Sequence, residues 1–307
     1  MRNGWLTVGL MVALAALPGC GQAEKPGAQQ TFATAEDAVV ALVDAARAND
    51  RAQLLAILGP DGETLLSSGD DVADQQTREV FLAAYLEQAH LTAEGDRTIL
   101  NVGREEWPLP IPLVTDGTTW RFDTAAGLEE VLFRRIGRNE LTAMNLCRTF
   151  VDAQKEYASK GRDGKSEGVY AQKFASDPGT HDGLYWPSDD PDDMSPLGEL
   201  AAEAASEGYS ASSGTPTPFH GYYFRILKGR GASAPGGAKD YVVGDEMRDG
   251  FALIAYPAAY QSSGVMTFMV DDTGTTYQKD LGPDTATLAT AISVFDPDSS
   301  WEKAEPD

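Results

Sequence analysis

The sequence predicts an α+β fold. A helical layer on a small antiparallel sheet occupies 31–125, and a long helix packed on an antiparallel β meander occupies 126–307. Three observations predict it. Apolar residues recur at helical spacing from Thr34 to Ala89. From Thr98 the pattern turns to alternation, punctuated by the hairpin signal Asp116-Gly117. The same order then returns, with a helical stripe from Leu141 to Tyr157 followed by short alternating segments between turns from His220 to Lys279.

Thr34-Ala35-Glu36-Asp37 reads as a capping box, and Val39, Leu42, Val43 and Ala46 then share one helical face. Asn49-Asp50 breaks that helix. A second, with Leu54, Leu55, Ile57 and Leu58, stops at Gly59-Pro60-Asp61-Gly62. A third is expected from Asp74 to Ala89, with Val80, Phe81, Ala84 and Tyr85 facing the core. Thr98 to Val102 alternates. Leu109 to Val114 is apolar, but Pro108, Pro110 and Pro112 remove ladder donors, so it reads as an edge strand or an extended segment. Thr119 to Phe122 returns as a strand. Two helices follow, a short one over Gly127–Ile136 and a longer one over Asn139–Ser159 carrying Leu141, Leu146, Phe150, Val151, Ala153 and Tyr157, ended by Gly161-Arg162-Asp163-Gly164. Residues 176–217 form an acidic, loop-rich stretch with the run Asp189 to Asp193, a helix from Leu197 to Ser206, and a flexible Ser210–Gly214 segment. Strands are expected at His220–Leu227, Gly250–Tyr256, Gly264–Val270 and Thr275–Lys279, and a closing helix at Leu288–Phe295. No internal repeat is present.

The chain has 307 residues and 42% apolar content, enough for two modest domains with real cores. Its net charge of −23 repels nucleic acid and anionic headgroups, which excludes nucleic-acid binding. Such acidity more often serves solubility than a specific cationic ligand. Arg2 and the apolar run Leu6–Leu17, too short to span a bilayer, read as a signal peptide over 1–19. Leu17-Pro18-Gly19-Cys20 resembles the lipobox of bacterial lipoproteins, in which a diacylglyceryl thioether forms on the Cys; Pro18 departs from the usual small residue. The alternative is an ordinary signal peptide with Cys20 as a stray thiol. Residues 20–30 then form a lipidated Cys and a polar tether, so the expected partner is a membrane, reached through the lipid and facing the periplasm. Gly21 after the Cys implies, by enterobacterial sorting rules, the outer membrane.

Catalytic motifs are scarce. With Cys20 lipidated, Cys147 has no disulfide partner, and its apolar helical setting favours a buried hydrophobe over a thiol nucleophile. His90, His181 and His220 lack metal-ligand spacing, and no nucleophile elbow or phosphate loop occurs. His181-Asp182 could orient an imidazole, and Tyr185 with Trp186 could wall a site, although a turn with a half-buried aromatic anchor is the favoured reading. Pro191 interrupts the acidic run Asp189–Asp193, which reads as a solvated loop before a calcium site, and Asp271-Asp272-Thr273-Gly274 reads as a hairpin turn. No cofactor, metal or catalytic residue is assigned.

Gly221-Tyr222-Tyr223-Phe224-Arg225-Ile226-Leu227, Pro235-Gly236-Gly237-Ala238, Gly250-Phe251-Ala252-Leu253, Ala255-Tyr256-Pro257, Ser262 to Phe268 and Tyr277 to Gly282 resemble a bacterial family known as domain of unknown function 2950. That resemblance implies exported proteins and supplies no reaction. The order of helix 139–159, variable loop and strands is also similar to the globular heads of type IV pilins and pseudopilins, which implies that Tyr223, Phe251, Tyr256 and Phe268 cover the helix. Arg134, Arg135 and Arg138 stand where pilins carry an apolar half-helix, so the resemblance implies a head detached from fibre building. The sequence therefore points to a non-enzymatic interaction or assembly module of the envelope with a protein partner. The alternatives are a module binding glycans or cell-wall fragments in a cleft near Trp120, Tyr185, Trp186 and Tyr222, and a hydrolase using His181 with Asp182.

Overall fold

The structure, a computed structural model, describes residues 29–209 and 217–304; the expected signal peptide, Cys20 and the Ser210–Gly214 segment lie outside the described residues. The N-terminal layer begins with α1 (Ala35–Ala48), where the Thr34 hydroxyl accepts from Asp37 N at 3.0 Å as the capping pattern predicts. It continues with α2 (Arg51–Leu58), α3 (Gly62–Leu66) and α4 (Asp71–Glu87). These cover an antiparallel sheet of β1 (Ala89–Glu94), β2 (Arg97–Val102), β3 (Trp107–Pro108), β4 (Leu113–Thr115) and β5 (Trp120–Phe122), in the order β1-β2-β4-β5 with β3 against β2. Ile57, Leu100, Leu113 and Phe122 form the centre of its core.

Three expectations for this half are corrected. Val80 is 69% exposed, because Phe81, Ala84 and Tyr85 take the inward side of α4 and Val80 sits about 100° round the helix from Phe81. The helix also ends before Ala89. Residues 89–94 form a strand in full register with β2, Ala89 opposite Val102 and Glu94 opposite Arg97, and this ladder outweighs the local helical pattern. The proline segment is corrected in part: residues 109–112 lie outside any strand, and Leu113–Val114 enter β4, which pairs with β2 on one side and β5 on the other and so is not at an edge.

One helix, α5 (Thr124–Ala158, 35 residues), replaces the two expected. Gly137 costs a helix interior about 1 kcal/mol, which is too little to break it when both flanks are anchored. On the N-terminal side, Gly127 lies against the proline segment: an added Cβ would stand 2.5 Å from Pro110 O and 2.8 Å from Ile111 Cα. Next to the break point, Arg135 donates to Leu65 O (2.6 Å) and Thr64 O (3.1 Å), and Asn139 donates to Ser263 O (2.9 Å). The front half of α5 therefore seats on the N-terminal region and the back half on the C-terminal sheet. Gly127→Ala pushes backbone against backbone and is expected to lower stability by about 2–3 kcal/mol in urea unfolding; a loss under 0.5 kcal/mol would show that the segment yields freely.

Then come α6 (Gly198–Ser206), β6 (Tyr222–Leu227), β7 (Gly229–Arg230), β8 (Lys239–Asp240), β9 (Val242–Val243), β10 (Glu246–Met247), β11 (Ala252–Pro257), β12 (Met266–Asp271), β13 (Thr276–Asp280), α7 (Thr285–Ala291) and β14 (Glu302–Lys303). The main sheet runs β6-β11-β12-β13-β14, antiparallel throughout, which is the expected meander. On one face, Tyr222, Phe251 and Phe268 meet Cys147 and Phe150 of α5. On the other, Arg225 donates to Ala289 O of α7 at 2.9 Å and Tyr277 packs on Phe295. Strand alternation decides which aromatics reach the helix. Phe251 and Phe268 do; Tyr223 and Tyr256 pair with each other at 5.5 Å on the α7 face, contrary to expectation. The closing helix is earlier and shorter than expected, because Phe295 leaves it to bond its backbone to Gly229 and Gly231. Among the described residues no helix is long and apolar enough to cross a membrane.

Candidate functional site

The last turns of α5 pin the segment that carries the expected site. Gln154, wholly buried, exchanges two bonds with the Ala171 backbone (2.8 and 2.9 Å), and the Tyr157 hydroxyl donates to His181 O at 2.6 Å. His181 and Asp182 then part company. His181 Nε2 stands 3.4 Å from the Asp193 carboxylate, with its ring 4.4 Å from that of Trp186. Asp182 instead accepts from Lys173 Nζ (2.6 Å), Thr180 Oγ1 (2.9 Å) and Asp177 N (3.0 Å). Burial opposes its ionisation, but these donors outweigh burial and hold the Asp182 carboxyl down to about 2. The imidazole is therefore oriented by Asp193, not by its neighbour in sequence.

The expected aromatic cleft does not assemble either. Trp186 is buried, donates Nε1–H to Asp193 O at 3.0 Å, and carries the Arg162 guanidinium 4.6 Å over its ring. Tyr222 is buried beneath α5 and donates to Met266 O at 2.9 Å; burial, then the nearby Glu140, pushes its phenol far above the ordinary range. Trp120 belongs to the other sheet, where it pairs with Phe32, and Tyr185 is half-buried in backbone pairing with Ala175. Polar turns absorb the acidic runs. Asp190 accepts from Asp192 N (2.9 Å) at the turn Pro191–Asp193, and Asp271 accepts from Thr273 N (3.1 Å). Among the described residues no group of three or more His, Cys, Asp or Glu is placed to hold a metal. Cys147 is buried, and burial pushes its thiol up to about 12. In the folded protein it should resist alkylation at pH 8 and react only after denaturation; rapid native labelling, read by mass spectrometry, would contradict its placement.

What the structure does bring together is a cavity of about 320 Å³ at the C-terminal end of α5. Tyr157 and Tyr170 line it with Lys165, Lys173 and Lys228, and Gln172 and Asp182 complete the wall. The lysines stand far apart in the chain and form no motif, so nothing local in the sequence marks them. The available signal was their scarcity, since the chain has only nine. A second concavity, about 450 Å³, flanks the front half of α5 at Ala126, Glu129, Glu130 and Phe133.

No curated protein and no solved structure matches the chain, so the similarity to pilin heads has no structural relative behind it. The profile of a protein family described as "Protein of unknown function (DUF2950)" matches residues 29–304. That match runs through both sheets and the helix joining them, and the chain belongs to this family.

Proposed function

We propose that this chain is a non-enzymatic module of the bacterial envelope, tethered by lipid on Cys20, that works by binding another envelope protein. The observation that carries the reading is the outward stripe of α5. Phe133 is 74% exposed and Leu141 50% exposed, two helical turns apart on one face, with the 450 Å³ concavity beside Phe133. A large aromatic ring kept in water on an otherwise well-anchored helix is a natural anchor for a partner. The tether reading draws its support from the apolar run Leu6–Leu17 and from Cys20. Crosslinking and mass spectrometry of membranes carrying the natively lipidated protein should return reproducible envelope partners, and Phe133→Glu should lose them. Recovery of no partner, or of the same partners with Phe133→Glu, would overturn the reading.

A further inference from the structure

We propose that the cavity at the C-terminal end of α5 binds a small soluble ligand carrying an oxyanion group, a carboxylate or a phosphate. The site is separate from the outward stripe of α5. Its charge is the first argument. Acidic residues outnumber Lys and Arg by 47 to 24, yet three of the chain's nine lysines line this one cavity. Lys173 is compensated, by Asp177 at 2.7 Å and Asp182 at 2.6 Å. Lys165 and Lys228 pair with no carboxylate among the described residues. In a protein this acidic, a hollow lined by three lysines and one carboxylate, with two of the lysines outside any ion pair among the described residues, attracts an anion.

The cavity is also built rather than incidental. Lys228 Nζ donates to Gln172 Oε1 at 2.9 Å, and the other end of that amide donates to Asp245 O at 2.6 Å. The amide is thereby oriented with its oxygen toward the lysine, a neutral acceptor that leaves the ammonium without an ion-pair partner. The Tyr170 ring is held edge-on to Phe251 at 4.8 Å, and Tyr157 is held by its bond to His181 O, so each aromatic wall has an anchor outside the cavity. Asp182, fixed by three donors, leaves a carboxylate at the edge of the cavity that disfavours polyanions and can accept from a ligand hydroxyl. A volume of about 320 Å³ suits a single sugar acid or phosphorylated metabolite. The recognised chemistry is an oxyanion toward Lys165 and Lys228, a hydroxyl toward Asp182, and a ring face on Tyr170.

The test is calorimetric titration of the natively lipidated protein in neutral detergent with glucuronate, with inorganic phosphate, and with phosphatidylglycerol in mixed micelles. The expected result is one saturable site for glucuronate or phosphate, weakened by added salt, with affinity falling at least about tenfold in the Lys165→Gln/Lys228→Gln double variant. Because Lys165 is half-buried and Lys228 exposed, and neither is ion-paired among the described residues, the double variant should keep the parent's thermal midpoint, which separates loss of the site from loss of the fold. The proposal is overturned if neither soluble anion binds at millimolar concentration, if the double variant binds as tightly as the parent, or if only phosphatidylglycerol titrates, which would make the lysines a lipid-headgroup contact. None of these outcomes bears on partner capture through Phe133.

Discussion

Asp70→Ala should lower the stability of the protein by about 3–5 kcal/mol, because one side chain ties three elements together. Asp70 is 1% exposed. It caps α4 by accepting from Ala73 N at 3.1 Å, and it also accepts from the Tyr209 hydroxyl at 2.9 Å and from Gly221 N at 2.8 Å. The last two donors belong to the C-terminal region, just beyond α6 and just before β6. Gly221 has φ 76°, and an added Cβ would lie 2.5 Å from Asn139 Nδ2, so this backbone is held tightly on α5 and cannot retreat to find water. Burial, and then Asp70 itself, pushes the Tyr209 phenol far above its ordinary range, which keeps it a donor at physiological pH. Truncation to Ala removes a helix cap worth about 1 kcal/mol and strands one buried donor, Gly221 N, and one half-buried donor, the Tyr209 hydroxyl, at roughly 1–3 kcal/mol each, partly offset by relaxation. Asp70→Asn should recover part of the loss, since its oxygen can still accept while its amide faces a donor. Chemical denaturation reads both. A loss under 1 kcal/mol for Asp70→Ala would mean that the two regions are not joined through this carboxylate.

The contrast between what was legible in the sequence and what was not follows from the range of the interactions. The capping pattern at Thr34 and the stripe through Phe150, Val151 and Tyr157 are local, and both appear where the sequence places them. The meander was legible because turns such as Asp271–Gly274 are punctuated by residues suited to them. The single long α5 was not. Its continuity through Gly137 rests on Arg135 reaching the carbonyls of Thr64 and Leu65, contacts about 70 residues away in the chain. Asp70 is one of 47 acidic residues and carries no local sign of its role. The pairing of His181 with Asp193 in place of Asp182 has the same origin. Adjacency in sequence says little about where two side chains point, and the lysine-rich segment that claims Asp182 is positioned by Gln154 from the helix below. Strand alternation is legible as a period, but its phase is set by which residues α5 buries, which is why Tyr223 and Tyr256 lie on the far side.

Two phenylalanines on α5 make the strongest internal comparison, because residue type and helix are the same and only the surroundings differ. Phe150 is 2% exposed, 5.6 Å from Phe251 in an edge-to-face pair and 5.9 Å from Phe174, so it joins the helix, the sheet and the loop that leads to the lysine-lined cavity. Phe150→Ala should cost about 3–5 kcal/mol, the sum of lost burial and the hole left between two rings that cannot close it. Phe150→Leu keeps most of the volume and should cost less than half as much. Phe133, at 74% exposure, contributes almost no burial, and Phe133→Ala should change stability by no more than about 0.5 kcal/mol. Thermal and urea unfolding of the three variants test this together. Should Phe133→Ala prove strongly destabilising, the ring would be part of the fold and the proposed partner surface would lose its basis. With a neutral Phe133→Ala, any loss of crosslinked partners in the same variant belongs to the surface itself, since the fold beneath it is unchanged.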